Sequence, residues 1–144
     1  MLEPALGLHV MVWPIRRRRV IVPPTHLRRG SAMAVFNGAF PILPGKTDAA
    51  KAFASAVAGS RKGEFTQMQK QSGTTRETWS LQETPAGAFM LVWFEGDVEQ
   101  AFGHLGTATD TFTVWFRAQI QGVTGIDMSE PADGGPELLF DWSA

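Results

Sequence analysis

Two strand-like segments within residues 74–96 differ in how apolar and polar residues follow one another. In the first segment Glu77, Trp79 and Leu81 fall on one side, and the residues between them, which are polar, fall on the other. In the second segment every residue from 88 to 94 is apolar, which indicates a strand buried on both faces. A Pro-Ala-Gly sequence between the segments is typical of a tight turn. The pattern therefore predicts a hairpin with one peripheral and one central strand.

The rest of the chain from Met33 onward predicts helices on either side of this hairpin and a strand at each end. The predicted elements, in chain order, are a strand over 33–42, helices over 49–58 and 61–72, the hairpin over 74–96, helices over 98–106 and 111–122, and a strand over 136–142. Thr47, Asp97 and Asp110 are predicted helix N-caps, because their side-chain oxygens can accept the free backbone N–H groups of a first turn. Gly106 is predicted to end the helix that follows the hairpin, and Gly122 and Gly125 are predicted to break the next one. This order of elements predicts an α+β fold of the ferredoxin-like βαββαβ type, with a four-stranded antiparallel sheet and helices on one face.

The central strand also predicts how the protein assembles. Helices on one face of the sheet leave the other face uncovered, and on that strand both faces are apolar. The uncovered set is either Phe89, Leu91 and Trp93, or Ala88, Met90, Val92 and Phe94. Large apolar patches of this kind mark interfaces or ligand sites, and a two-fold partner would cover both copies at once. We therefore expect a homodimer that joins sheet to sheet.

Composition and charge narrow the function classes. The chain has 144 residues and no cysteine, and residues 33–144, which form the single predicted domain, contain one histidine, so neither a thiolate nor a multi-histidine metal site is expected. This domain carries seven Lys and Arg against thirteen acids, a net charge of −6, which disfavours nucleic acid as a partner. No apolar run approaches the length of a membrane span, so we expect a cytoplasmic protein without a membrane partner.

The first 32 residues have a different character from the domain. They hold six Arg and one acid, and their apolar residues precede the run of four Arg, which is the reverse of a secretory signal. The segment is either a disordered extension or, by hypothesis, leader sequence upstream of a true start at Met33. The codons for Arg28 and Arg29 can be written as a purine-rich ribosome-binding sequence at a workable distance from Met33, if the source is bacterial. An anionic-surface or nucleic-acid patch is a further alternative for the Arg cluster.

Two motifs in the domain resemble those of a known superfamily. The Leu-Gln-Glu-Thr-Pro-Ala-Gly hairpin at 81–87 and the Asp-Thr-Phe-Thr-Val-Trp-Phe-Arg helix at 110–117 are similar to small bacterial members of the dimeric α+β barrel superfamily that have no assigned function. The resemblance covers residues 33–142 and implies a ferredoxin-like homodimer. The superfamily includes cofactor-free monooxygenases, haem-degrading enzymes, small isomerases and proteins with no known chemistry, so the fold alone leaves the function open.

One constellation follows from this resemblance. Haem-degrading members carry an Asn on the first strand, a Trp on the third strand and a haem-ligating His on the next helix, and Asn37, Trp93 and His104 stand in this order here. The alternative is that His104 favours the last turn of a helix and that Trp93 packs. Acids near strand ends, such as Glu95 and Asp97, are candidate general bases or simply solvated and capping groups.

Three functions therefore stay open from the sequence. The first is a homodimer with a pocket for an apolar or aromatic small molecule, without cofactor and without a demonstrated reaction. The second is a cofactor-free or haem-dependent monooxygenase, with His104 as the haem ligand in the latter case. The third is a structural or protein-interaction module. Whether the protein is an enzyme is undecided at this point.

Overall fold

The computed structural model describes residues 34–131 and 135–144, and it follows the predicted order of elements up to the last helix. The seven elements are β1 (Ala34–Pro41), α1 (Thr47–Ala58), α2 (Lys62–Ser72), β2 (Thr74–Thr84), β3 (Gly87–Gly96), α3 (Val98–Thr107) and α4 (Thr111–Thr124). The predictions for residues 1–32 and for a start at Met33 lie outside the described residues. None of the described helices is both long and apolar enough to cross a membrane.

Within the described residues the sheet has three antiparallel strands in the order β1-β3-β2. The continuous apolar run forms β3, which is central as predicted. In the register, Asn37 of β1 faces Trp93 of β3, and Trp79 of β2 faces Val92. The fold is therefore α+β with an antiparallel sheet, and β1 and β2 are its two edges.

The predicted fourth strand over residues 136–142 is not formed in the single chain. Residues 135–144 form no strand, and the large apolar side chains of this segment are 72% to 87% exposed. These side chains are Leu138, Leu139, Phe140 and Trp142. Alternation of apolar and polar residues expresses a strand preference, but that preference depends on pairing with a neighbouring edge, and this segment pairs with none.

Helix ends agree with two of the three predicted caps. The Asp97 and Asp110 side chains accept the backbone N–H groups of Gln100 and Thr113 at 2.9 and 3.0 Å, so both are N-caps as predicted. The prediction for Thr47 is wrong, because α1 already includes this residue and no side chain caps it.

Two glycines did not end their helices where the sequence suggested. Helix α3 continues past Gly106 to Thr107, and α4 continues past Gly122 to Thr124. The prediction for Gly125 is confirmed: it ends α4 with φ +76°, a left-handed conformation that glycine adopts without a steric cost. A glycine within a helix costs only about 1 kcal/mol relative to alanine, which the packing of these helices offsets.

The two faces of the sheet have different surroundings. The inner face, which we define by Phe36, Phe40, Glu77, Trp79, Met90, Val92 and Phe94, packs against the helices. The outer face, which we define by Val35, Asn37, Thr78, Phe89, Leu91 and Trp93, has no covering layer within the described residues.

The apolar core lies between the inner face and the helices. One cluster contains Phe53, Val57, Met68, Phe112 and Phe116, and a second contains Ile42, Ala50, Met90 and Val123. Trp79 packs against both clusters, so it joins the two halves of the core. The core-facing residues of α1 are Ala50, Phe53 and Val57.

Candidate functional site

A partly enclosed cavity of about 80 Å³ lies between the inner face of the sheet and the helices. Its aromatic lining consists of Phe36, Phe40, Phe53, Phe94, Phe102 and Phe116, together with Trp79. The rings support one another: Phe36 stacks on Phe94 with centroids 5.1 Å apart and meets Phe102 edge-on at 4.9 Å. Such contacts hold the walls of the cavity in place.

A carboxyl group lies at one side of this cavity. Glu77 on β2 is partly buried, and its Oε1 accepts a hydrogen bond of 2.6 Å from Nε1 of Trp79. Its Oε2 accepts a hydrogen bond from the side-chain amide of Gln69 on α2. Both carboxyl oxygens are therefore occupied by neutral donors, which fixes the orientation of the group.

The strand pattern explains why this acid points inward. Alternation along β2 places Glu77 on the same side as Trp79, and the register with β3 confirms that side as the inner face. A register shift between Thr74 and Arg76 precedes it, so the strand gains one extra residue at the end next to α2. Glu77 is the first residue of the inner face after this bulge.

Burial raises the pKa of the Glu77 carboxyl above its ordinary value, while the hydrogen bonds from Trp79 and Gln69 act in the opposite direction. Burial prevails because both donors are neutral and a partly buried carboxylate loses hydration. A carboxyl with a raised pKa can hold or release a proton nearer to neutral pH than an exposed one. The carboxyl group can therefore hold or release a proton at the edge of the cavity.

The same trio of side chains also faces a second, more open groove of about 680 Å³ between β2 and the helices α1 and α2. Gln69, Glu77 and Trp79 line both spaces, so they form the wall between the groove and the cavity. Lysine and arginine side chains line the groove but not the cavity, namely Lys62, Lys70 and Arg76. The groove is therefore the more polar side of this wall, and the cavity is the more apolar side.

An imidazole also lines the cavity. His104 is in the last turn of α3 and lines the cavity, and its Nε2 is buried with no hydrogen-bond partner among the described residues. Buried polar atoms are nearly always paired, because an unpaired one loses its hydration without compensation. An unpaired nitrogen in the wall of an apolar cavity is therefore a point where a ligand can bind.

The end of α3 is held firmly around this histidine. The Arg117 guanidinium donates hydrogen bonds to the carbonyl oxygens of Leu105 and Ala108, at 2.8 and 2.7 Å. These bonds occupy the carbonyls that a helix end leaves free. Arg117 thus fixes the segment that carries His104.

Asp110, the N-cap of α4, is an acid whose pKa is affected by the charge of His104. The backbone N–H of Thr113 lowers the pKa of Asp110 below its ordinary value, and the positive charge that His104 can carry contributes in the same direction. Asp110 is exposed, so this attraction is screened by water and salt. Asp110 acts chiefly as the N-cap of α4.

The structure brings together two of the three residues of the predicted haem constellation. Asn37 and Trp93 are register partners on the outer face, and the Arg76 guanidinium lies 5.5 Å from the Trp93 ring centroid. His104 lines the cavity on the opposite side of the sheet. Asn37, Trp93 and His104 therefore do not face one common site within the chain.

Haem does not fit this arrangement. The cavity at His104 is about 80 Å³, whereas pockets for drug-sized ligands measure roughly 300–1,000 Å³, and a porphyrin needs a space of at least that order. Within residues 34–131 and 135–144, no group of three or more His, Asp or Glu side chains is placed to hold a metal ion. Neither haem nor a metal ion is therefore assigned to this site.

The predicted acid candidates near strand ends have other roles. Asp97 is the N-cap of α3, and Glu95 lies on the outer face opposite Val35 and Arg76. Neither lines the cavity. The acid that does line it, Glu77, was not singled out from the sequence.

Comparison of the chain with protein-family profiles, curated proteins and solved structures gave no match. The resemblance to dimeric α+β barrels remains a prediction.

Proposed function

We propose that the protein binds a small apolar molecule in the cavity between its sheet and its helices. The observation that supports this most strongly is the pairing of aromatic walls with two inward polar groups, Glu77 and the unpaired Nε2 of His104. Concave apolar sites with a few convergent polar groups are the usual form of ligand pockets. No reaction is part of this proposal.

The volume limits what can enter. A cavity of about 150 Å³ in another protein accepts benzene, so a space of about 80 Å³ limits the ligand to one ring at most, and the walls must move apart to admit it. Three methionines line it, Met68, Met90 and Met128, and methionine side chains adapt readily to a new neighbour. Benzene is therefore a suitable first probe.

Benzene added to the full-length chain should raise its melting temperature by several degrees. Ligand at about ten times its Kd stabilises a protein by roughly 1.4 kcal/mol, which is about 5–10 °C for a domain of this size. Differential scanning calorimetry over a benzene concentration series would measure the shift. A melting temperature that stays constant up to the solubility limit would refute the proposal.

A pair of helix variants localises the binding. Ala101 is buried on α3 and lines the cavity, so Ala101→Leu should fill it and abolish the benzene shift. Ala118 is exposed on α4, so Ala118→Leu adds the same atoms without touching the cavity and should leave the shift intact. An equal shift in both variants would place the ligand elsewhere.

We further propose that the working form is a homodimer joined through the outer face. Phe89, Leu91 and Trp93 are apolar and lie on this face of the central strand, and Val35 beside them is 54% exposed. Each such side chain gains roughly 1.5–3 kcal/mol when fully buried. A second copy offers the same patch, so one contact would cover both.

The edge of β1 offers a place for the fourth strand of a ferredoxin-like sheet. Residues 136–142 alternate in a strand-like way and are exposed, and β1 is a free edge within the described residues. We propose that this segment adds to the β1 edge when the dimer forms, which would complete the four-stranded order. Amide hydrogen exchange of residues 136–142 should then slow as protein concentration rises through the dimer Kd.

Light scattering at micromolar concentration tests the assembly directly. The expected mass is that of two chains, about twice 15.7 kDa. A monomer mass that does not change over a tenfold rise in concentration would refute the dimer, and it would leave the cavity proposal standing.

A further inference from the structure

We infer that the ligand of this cavity is a neutral, hydroxylated single-ring aromatic molecule and that His104 selects it. This inference rests on the proposed small-molecule binding and adds the chemical class. It starts from the one buried side-chain nitrogen in the cavity wall that has no hydrogen-bond partner among the described residues, Nε2 of His104.

A ligand that pairs with this nitrogen needs a hydrogen-bonding group at the point that contacts His104. A neutral imidazole either donates or accepts at Nε2, depending on which nitrogen holds the proton. A hydroxyl group can donate and accept, so it pairs with either form of the ring. A carbonyl or an ether oxygen would pair with only one.

A charged group on the ligand beside His104 is disfavoured. Phe102 and Leu105, which line the cavity with His104, provide apolar surface, and moving an ionised carboxylate or ammonium group into such surroundings is costly. The other acid–base group of the cavity, Glu77, already has both oxygens hydrogen-bonded to Trp79 and Gln69. The pairing site for a ligand is therefore at His104, and the partner is neutral.

The walls and the volume define the rest of the ligand. Seven aromatic side chains surround the space, and aromatic rings make favourable edge-to-face and offset contacts with one another. The cavity of about 80 Å³ restricts the body of the ligand to about one ring. A ring with one hydroxyl group is the simplest molecule that meets all these conditions.

Phenol and benzene are the matched probes, because they differ by the hydroxyl group alone. Titration calorimetry on the full-length chain gives the ratio of the two dissociation constants, Kd for benzene divided by Kd for phenol. In His104→Leu, which keeps an apolar side chain of similar reach, this ratio should fall about tenfold, or about 1.4 kcal/mol. Comparing ratios cancels the different hydration of the two probes in water.

A conservative variant separates selection from folding. His104→Gln keeps a neutral hydrogen-bonding group near the same place and should restore at least part of the phenol preference. Benzene should bind to wild type and to both variants with similar affinity, which shows that the cavity survives each change. If His104→Leu does not fold, the ratio for His104→Gln against that for His104→Phe provides the same comparison.

The outcomes distinguish the inference from the proposal beneath it. A phenol-to-benzene preference that is the same in wild type and His104→Leu would overturn the role of His104 while leaving apolar binding intact. Failure of wild type to bind either probe would overturn both. A fall in the ratio with His104→Leu and its recovery with His104→Gln would support the inference.

Discussion

The inner and outer faces of the sheet share a central strand yet have opposite surroundings. On β3, Met90 and Phe94 point inward and are 7% and 6% exposed, whereas Leu91 and Trp93 point outward and remain partly exposed. Both rows are apolar, so their composition does not separate them. What separates them is that helices cover one row and no described element covers the other. Apolar residues on both sides of a strand therefore mark it as central. They do not indicate which element or subunit covers each side.

The strongest test of this comparison removes an aromatic side chain from the inner side. Phe116 of α4 is 4% exposed and packs against Trp79, with ring centroids 5.9 Å apart. Phe116→Ala and Trp79→Ala should each lower the free energy of unfolding by about 3–5 kcal/mol, because each leaves a void in the core. Urea unfolding followed by circular dichroism would measure both values.

The matched control lies next to Trp79 on the outer face. At protein concentrations below the dimer Kd, Thr78→Ala should change the free energy of unfolding by no more than about 0.5 kcal/mol, since Thr78 is exposed in the single chain. A cost below about 1 kcal/mol for both aromatic variants would show that the register of β2 against β3 is wrong.

The next largest effect belongs to the outer face and appears in assembly rather than folding. Leu91→Glu places a charge at the centre of the proposed interface in both copies, and should raise the dimer Kd at least about 100-fold. Sedimentation velocity over a concentration series would show the shift to monomer. Ser80→Glu, opposite Leu91 on the edge strand β2, carries the same charge to a more peripheral position and should have a smaller effect. Equal dimer strength in wild type and Leu91→Glu would assign the interface to another surface.

A smaller, pH-dependent effect on stability is expected from Glu77, the acid on the inner face. Since burial raises the pKa of Glu77, the folded state holds its proton more tightly than the unfolded state. The stability that this proton provides is fully present below the unfolded pKa, near 4.5, and is lost as pH rises through the folded value. Glu77→Gln mimics the neutral carboxyl, because the Gln69 amide can rotate to accept from it.

The melting temperature of Glu77→Gln relative to wild type should therefore increase from pH 4 to pH 8. Glu83→Gln removes the same charge from an exposed position on the same strand and serves as the control. A difference that falls with rising pH would mean that the hydrogen bonds from Trp79 and Gln69 outweigh burial.

The smallest effect is expected from the segment that precedes the domain. A chain that starts at Met33 should melt within about 2 °C of the full-length protein, because an unpacked segment contributes almost no buried area. Calorimetry of both chains would settle this. A loss of several degrees would show that residues 1–32 pack on the domain, and the outer face would be the first surface to test for contact.

The order of the elements was predictable because each depends on local signals. The apolar run of β3, the turn before Gly87 and the caps Asp97 and Asp110 all act over a few residues. The strand predicted over residues 136–142 depended on a distant edge, which no local pattern specifies. Element type was therefore predictable where short-range physics decides it, and pairing was not.

The candidate site was harder to find for a related reason. The haem constellation relied on the order of Asn37, Trp93 and His104, but order along the chain does not say on which face of a sheet a side chain lies. The useful signal was an acid at an apolar position: Glu77 shares its side of β2 with Trp79. A charge within an apolar row indicates a buried, hydrogen-bonded group. The unpaired nitrogen of His104 has no sequence signal at all.

The small cavity also has a consequence for the response of the protein to hydrostatic pressure. A void of about 80 Å³ per molecule amounts to roughly 50 mL per mole, and volume decreases on unfolding are typically 20–100 mL/mol, in part because such voids disappear. Compression should therefore favour the unfolded chain noticeably in the empty protein. An occupant removes the void, so the midpoint pressure of unfolding should rise when the cavity is filled, even by a ligand that makes no hydrogen bond.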